Sequence, residues 1–136
     1  MPDKPSEREI WFAQARSRLA NAINGFYLKP ITDSGFVLRD GGASMDTPSG
    51  HLDDQTLKGQ ETKFYVVFGN ESEQEYRVDF IISHNNQWDA VLDIFPSVGG
   101  AKPTMILKTD AALATGIEDM KRFYLNFIER IKNRQT

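Results

Sequence analysis

The residues whose type and spacing first suggest chemistry are three aspartates set among apolar residues, Asp79, Asp89 and Asp93. Acid–base work by paired carboxylates requires one to be ionised and another to be held protonated by its surroundings. Nothing near these three supplies that asymmetry, and Arg77 stands two residues before Asp79. They read as surface charge on strands. As ligands for a hard cation they fall short, because such ions need several converging oxygens.

His51-Leu52-Asp53-Asp54 brings an imidazole and two carboxylates together. A zinc-type site normally recruits three or four ligands, so this set is incomplete. Ser83 and His84 supply two members of a nucleophilic triad by type. Triads are defined by spatial geometry, which adjacency in sequence does not provide. Gly99-Gly100-Ala101-Lys102 lacks the Gly-Lys-Ser/Thr ending of a phosphate cradle, and Pro103 and a strand-like segment follow it. Gly41-Gly42 carries no dinucleotide fingerprint. The sequence therefore assigns no catalytic residue, no metal site and no cofactor.

Bulk properties narrow the function classes. A chain of 136 residues is read as one domain, large enough to bury a core without staples. It has no cysteine, which removes disulfide frameworks and thiolate chemistry and suits a reducing compartment. The polar start Met1-Pro-Asp-Lys-Pro-Ser is unlike a secretory signal, and no apolar run approaches the ~20 residues that span a bilayer. A cytoplasmic protein without a membrane segment is expected. The net charge of −3 disfavours general nucleic-acid binding. Lys121, Arg122, Arg130, Lys132 and Arg134 near the C-terminus alternate with Glu118, Asp119 and Glu129, as on a solvated helix face.

These residues must be positioned by a small set of elements. Ser6-Glu7-Arg8-Glu9 is a capping box, followed by Phe12, Ala15, Leu19, Ala22 and Ile23 at helical spacing. Asn24-Gly25 is expected to stop that helix. Phe26–Ile31 and Phe36–Arg39 read as a hairpin around Thr32-Asp33-Ser34-Gly35, with Pro30 confining the first strand to an edge. Residues 40–61 show no period and form a long polar loop. Three strands follow, over Lys63–Phe68, Tyr76–Ser83 and Trp88–Phe95, and a further one over Thr104–Thr109. A final helix begins at Asp110 or at the second capping-box match, Thr115-Gly116-Ile117-Glu118. Its apolar stripe is Ile117, Met120, Tyr124, Phe127, Ile128 and Ile131. The fold class is α+β: an antiparallel sheet of five or six strands bracketed by N-terminal and C-terminal helices.

Alternation sets which side chains share a face. Phe64, Val66 and Phe68 belong with Val78, Phe80 and Ile82, and with Trp88, Ala90, Leu92 and Ile94. The pairs Phe68–Tyr76, Val66–Val78, Phe64–Phe80, Tyr65–Asp79 and Val67–Arg77 follow. A three-residue loop His84-Asn85-Asn86, with Asn86 left-handed, would oppose Arg77 to Asp93, Asp79 to Val91 and Ile81 to Asp89. The opposite face, with Tyr65, Val67, Arg77, Asp79, Ile81, Asp89, Val91, Asp93 and Phe95, is half apolar. It is covered by the N-terminal helix, docks a partner, or is an ordinary solvated face.

The leading expectation is a non-enzymatic protein-binding module, such as an inhibitor, an immunity-type protein or an adaptor. Tyr65, Arg77, Asp79, Ile81 and Asp93 would form its sheet-face site, with Asp46, Asp53 and Asp54 of the acidic loop steering a partner electrostatically. The same face admits a homodimer. The alternative is a small hydrolase or transferase working around His51. A ligand pocket between sheet and helices, lined by Trp88 or Tyr124, competes with a plain core role for both residues.

Overall fold

The computed structural model describes residues 6–44, 62–70, 74–98 and 102–134, with the backbone alone for 40–44 and 134. The order is α1 (Glu7–Phe26), α2 (Leu28–Asp33), β1 (Val37–Ser44), β2 (Thr62–Gly69), β3 (Glu75–His84), β4 (Ala90–Pro96), β5 (Thr104–Leu107) and α3 (Asp110–Arg134). The strands form an antiparallel meander in the order β1-β2-β3-β4-β5. This is the expected α+β architecture.

The start of α1 follows from its sequence. Ser6 Oγ accepts from Glu9 N–H at 3.2 Å, and Glu9 Oε1 accepts from Ser6 N–H at 3.4 Å. The end does not. The helix passes through Gly25 and stops at Phe26, and Tyr27 stays in the right-handed helical region. Pro30 explains this, because it lacks the N–H that would bond the Phe26 carbonyl. The chain restarts as α2, where Pro30 occupies the first turn and its missing donor costs nothing. Phe26–Ile31 is thus helical, where a strand was expected. Thr32-Asp33-Ser34-Gly35 ends a helix instead of turning a hairpin. Phe36 N–H bonds Ile31 O at 3.0 Å and Gly35 N–H bonds Thr32 O at 3.1 Å, with Gly35 at φ 83°. These are the two bonds of a Schellman stop.

β1 starts at Val37 and runs on to Ser44, into the stretch expected to be loop. A bulge at Arg39, between the pairs Leu38–Phe68 and Asp40–Val67, conceals its period. The β2–β3 register is the expected one at every pair named above. The β3–β4 register is not: His84 pairs with Ala90, Ile81 with Asp93 and Asp79 with Phe95. The connection is a five-residue loop, Asn85–Asp89, which preserves face parity as the expected three-residue loop would.

α3 begins at the earlier of the two expected positions. Thr109 Oγ1 accepts from Ala112 N–H at 3.1 Å, so Thr109 caps the helix and Thr115 lies inside it. Gly116 serves packing: a Cβ there would meet the Leu107 methyls at 2.6 and 2.9 Å. α1 and α3 lie side by side and run in the same direction, tied by Trp11 Nε1 to Asp110 Oδ1 at 2.8 Å and by Tyr124 Oη to Tyr27 O at 2.6 Å. Both pack on one sheet face. Phe12, Leu19 and Ile23 of α1 and Met120, Tyr124 and Ile128 of α3 close over Phe64, Phe68, Phe80 and Leu92. Each large apolar side chain buried in this way contributes ~1.5–3 kcal/mol.

Candidate functional site

Placing both long helices on one face leaves the other face without a covering element among the described residues. α1 does not lie over it, contrary to one of the three readings of the sequence. Successive rungs across this open face are Tyr65–Asp79–Phe95, Lys63–Ile81–Asp93–Thr104 and Ser83–Val91–Ile106. Diagonal neighbours on a sheet lie within reach of long side chains. Tyr65, Ile81, Val91 and Ile106 therefore form an apolar diagonal that crosses four strands, with Phe95 beside it. Phe95 and Ile106 are 37% and 55% exposed.

The charged groups of this face are tied to their neighbours. Arg77 sends Nη2 to Asp79 Oδ1 at 2.9 Å and Nε to the same oxygen at 3.1 Å. Its guanidinium carbon lies 5.0 Å from the centre of the Tyr65 ring. Residues two apart on a strand share a face, so sequence alone places Arg77 beside Asp79. Both partners are partly solvated, which limits the pair to ~0–1 kcal/mol. Thr104 donates to Asp93 at 2.5 Å, and Lys102 Nζ sits 6.0 Å from the Phe95 ring centre.

Five of the eight residues singled out from sequence, Tyr65, Arg77, Asp79, Ile81 and Asp93, thus lie on one face. Asp46, Asp53 and Asp54 fall outside the described residues, as does His51. Phe95 was placed on the face but not in the candidate set, and Ile106 was missed. The signal for Ile106 was available: alternation within Thr104–Leu107 puts it opposite in sense to the buried Leu107.

The carboxylate trio does not assemble. Asp89, expected opposite Ile81, belongs to the β3–β4 loop and is buried at 4% exposure. Asn85 organises that loop. Its Oδ1 accepts from the Gln87 and Asp89 N–H groups, each at 3.0 Å, and its Nδ2 donates to Asp89 Oδ2 at 3.0 Å. Arg8 completes the set, donating to Asp89 Oδ1 at 2.8 Å and to Lys108 O at 3.0 Å. One arginine therefore joins α1, the loop and the β5–α3 junction.

Within the same loop Trp88 takes φ 59°, a conformation that bulky residues rarely adopt, where Asn86 had been expected. Its ring stacks on His84 with centroids 3.9 Å apart, and both rings contact Phe12. His84 Nδ1 lies 2.9 Å from Asn85 O, so that nitrogen carries the proton. His84 and Trp88 pack on Phe12 at one end of the core, beside the buried Asp89. Tyr124 is fully buried core as well, and desolvation by burial, reinforced by Tyr27 nearby, pushes its phenol above the ordinary value. Among the described residues no group of three or more His, Cys, Asp or Glu is placed to hold a metal, and no helix is long and apolar enough to cross a membrane.

Comparison of the chain with protein-family models, with curated proteins and with solved structures finds no match.

Proposed function

We propose that the open sheet face is a protein-docking surface and that the chain is a non-enzymatic binding module of the inhibitor, immunity or adaptor kind. The observation that carries this reading is the continuous apolar diagonal Tyr65–Ile81–Val91–Ile106. Contiguous apolar surface rimmed by polar groups is characteristic of interaction sites. Because Arg77, Asp79 and Asp93 already have partners within the chain, docking would not leave their charges bare. That favours a partner with a flat, mainly apolar patch over one that reads charge at the centre of the interface. The acid-rich stretch holding Asp46, Asp53 and Asp54 adds, from sequence alone, a preference for a partner with a basic rim.

The test is native mass spectrometry of the tagged chain captured gently from its own cells, repeated with Ile106→Glu, Tyr65→Ala and, on the helix layer, Leu125→Glu. A stoichiometric protein bound by the wild type and by Leu125→Glu, but lost from the two sheet-face variants, supports the reading. Loss from all three variants alike, or from Leu125→Glu alone, overturns it. A doubled mass that collapses in the sheet-face variants would identify the partner as a second copy of the chain.

A further inference from the structure

Pro30, by ending α1 at Phe26, turns the chain into α2 and opens a groove of about 640 Å³ between that turn and the second half of α3. This volume falls within the ~300–1,000 Å³ of small-molecule sites. Phe26 and Pro30 form one apolar wall and Leu125 and Ile128 the other. No sheet residue lines it, so it is separate from the open face and from the sheet–helix pocket weighed from sequence. On α3 the lining residues Lys121, Leu125, Ile128 and Lys132 repeat at helical spacing, which stretches the groove over about 16 Å of helix. Small-molecule sites are concave and mostly apolar with a few placed polar groups, as this groove is. That comparison favours a small, elongated ligand over a partner protein.

Charge selects among such ligands. Lys29, Lys121 and Lys132 line the groove against Asp33 and Glu129, leaving an excess of one positive charge. Lys121 is held at 3.6 Å by Glu118, whereas Lys29 and Lys132 make no ion pair among the described residues. Lysine stems extend an apolar wall while the ammonium group stays in water. We infer that the groove binds a single-chain anionic amphiphile, its tail along Phe26, Pro30, Leu125 and Ile128 and its head neutralised by the rim lysines.

The test is isothermal titration of the full chain with decanoate and with decyltrimethylammonium, both below their micellar concentrations. Decanoate is expected to bind one to one and about threefold tighter than the cation, the scale of one solvated ion pair. Leu125→Glu should weaken decanoate by at least about tenfold, because it puts a carboxylate into the apolar wall. Leu125 is 49% exposed, so this variant keeps the fold, which circular dichroism would check. Lys29→Glu should cost about threefold, the scale of one solvated ion pair. Ile106→Glu, on the open sheet face, should leave decanoate binding unchanged while abolishing partner capture, so the two proposals fail separately. Equal affinity for both amphiphiles, binding indifferent to Leu125→Glu, or no binding at millimolar decanoate would each overturn the inference.

Discussion

The two faces of the sheet are made by alternate residues of the same strands, yet they have different physical fates. On one, Phe64, Phe68, Phe80, Ile82, Leu92 and Ile94 are fully buried beneath α1 and α3. On the other, Tyr65, Ile81 and Val91 are half-buried, and Phe95 and Ile106 stand exposed. An antiparallel sheet with one solvated face ordinarily alternates apolar and polar residues cleanly. Here the outward positions retain tyrosine, valine, isoleucine and phenylalanine. The covered face holds the molecule together, and the open face carries apolar side chains that neither long helix covers.

The largest test of this contrast substitutes one phenylalanine on each face. Phe80→Ala removes a fully buried ring in contact with Phe26 and Tyr124. It should cost ~3–5 kcal/mol in urea unfolding. Phe95→Ala, on the next strand but on the open face, should cost about 1 kcal/mol or less. Comparable losses would mean that the open face is buried in the folded chain, and the contrast would collapse.

A smaller effect belongs to the loop that closes one end of both faces. Asp89→Ala strips Arg8 and Asn85 of a shared acceptor. Arg8 is 41% exposed and recovers water, so the expected loss is ~1–3 kcal/mol, below that of a fully buried pair. The paired change Arg8→Met with Asp89→Ala should be less damaging than the sum of its parts, which a double-mutant cycle would measure. This loop also marks where the sequence stopped being legible. Alternation gave the correct parity for β3 and β4 but cannot tell loops of three and five residues apart. The shorter loop, with Asn86 in the left-handed position, is the more familiar hairpin connection and was the one expected. The longer loop is held from within by Asn85 and, through Asp89, by Arg8 from a helix 81 residues earlier, and no local pattern contains that second contact.

Tyr124→Phe tests the covered face through pH. At neutral pH it removes the bond to Tyr27 O and should cost ~1 kcal/mol. Burial makes the folded-state phenol a weaker acid, so the folded protein keeps a proton which the unfolded chain releases above pH ~10. Stability from this group is therefore complete below pH ~10 and falls as pH rises beyond it. The wild type should lose stability more steeply than Tyr124→Phe in unfolding curves between pH 9 and about 11. Parallel slopes would place the phenol in water. The broad α3 stripe containing Tyr124 was legible because helical spacing is a local property. The end of α1 was misread because Gly25 is the more familiar stop. Pro30, taken as the mark of an edge strand, acts four residues upstream through the donor it lacks.

The smallest expected effect is the most diagnostic of function. Arg77→Ala deletes a solvated pair with Asp79 and a contact over Tyr65, so unfolding free energy should change by no more than ~0.5–1 kcal/mol. If the open face docks a protein, however, that guanidinium fixes the position of Tyr65 and neutralises Asp79 beneath the partner. Docking removes the water that screens the pair, so the same deletion should weaken binding by about tenfold or more. A side chain nearly silent in folding and costly in binding is the signature expected of a surface maintained for an interaction. If Arg77→Ala changed stability and affinity in equal, small measure, the pair would be ordinary surface charge and the apolar diagonal alone would have to account for docking.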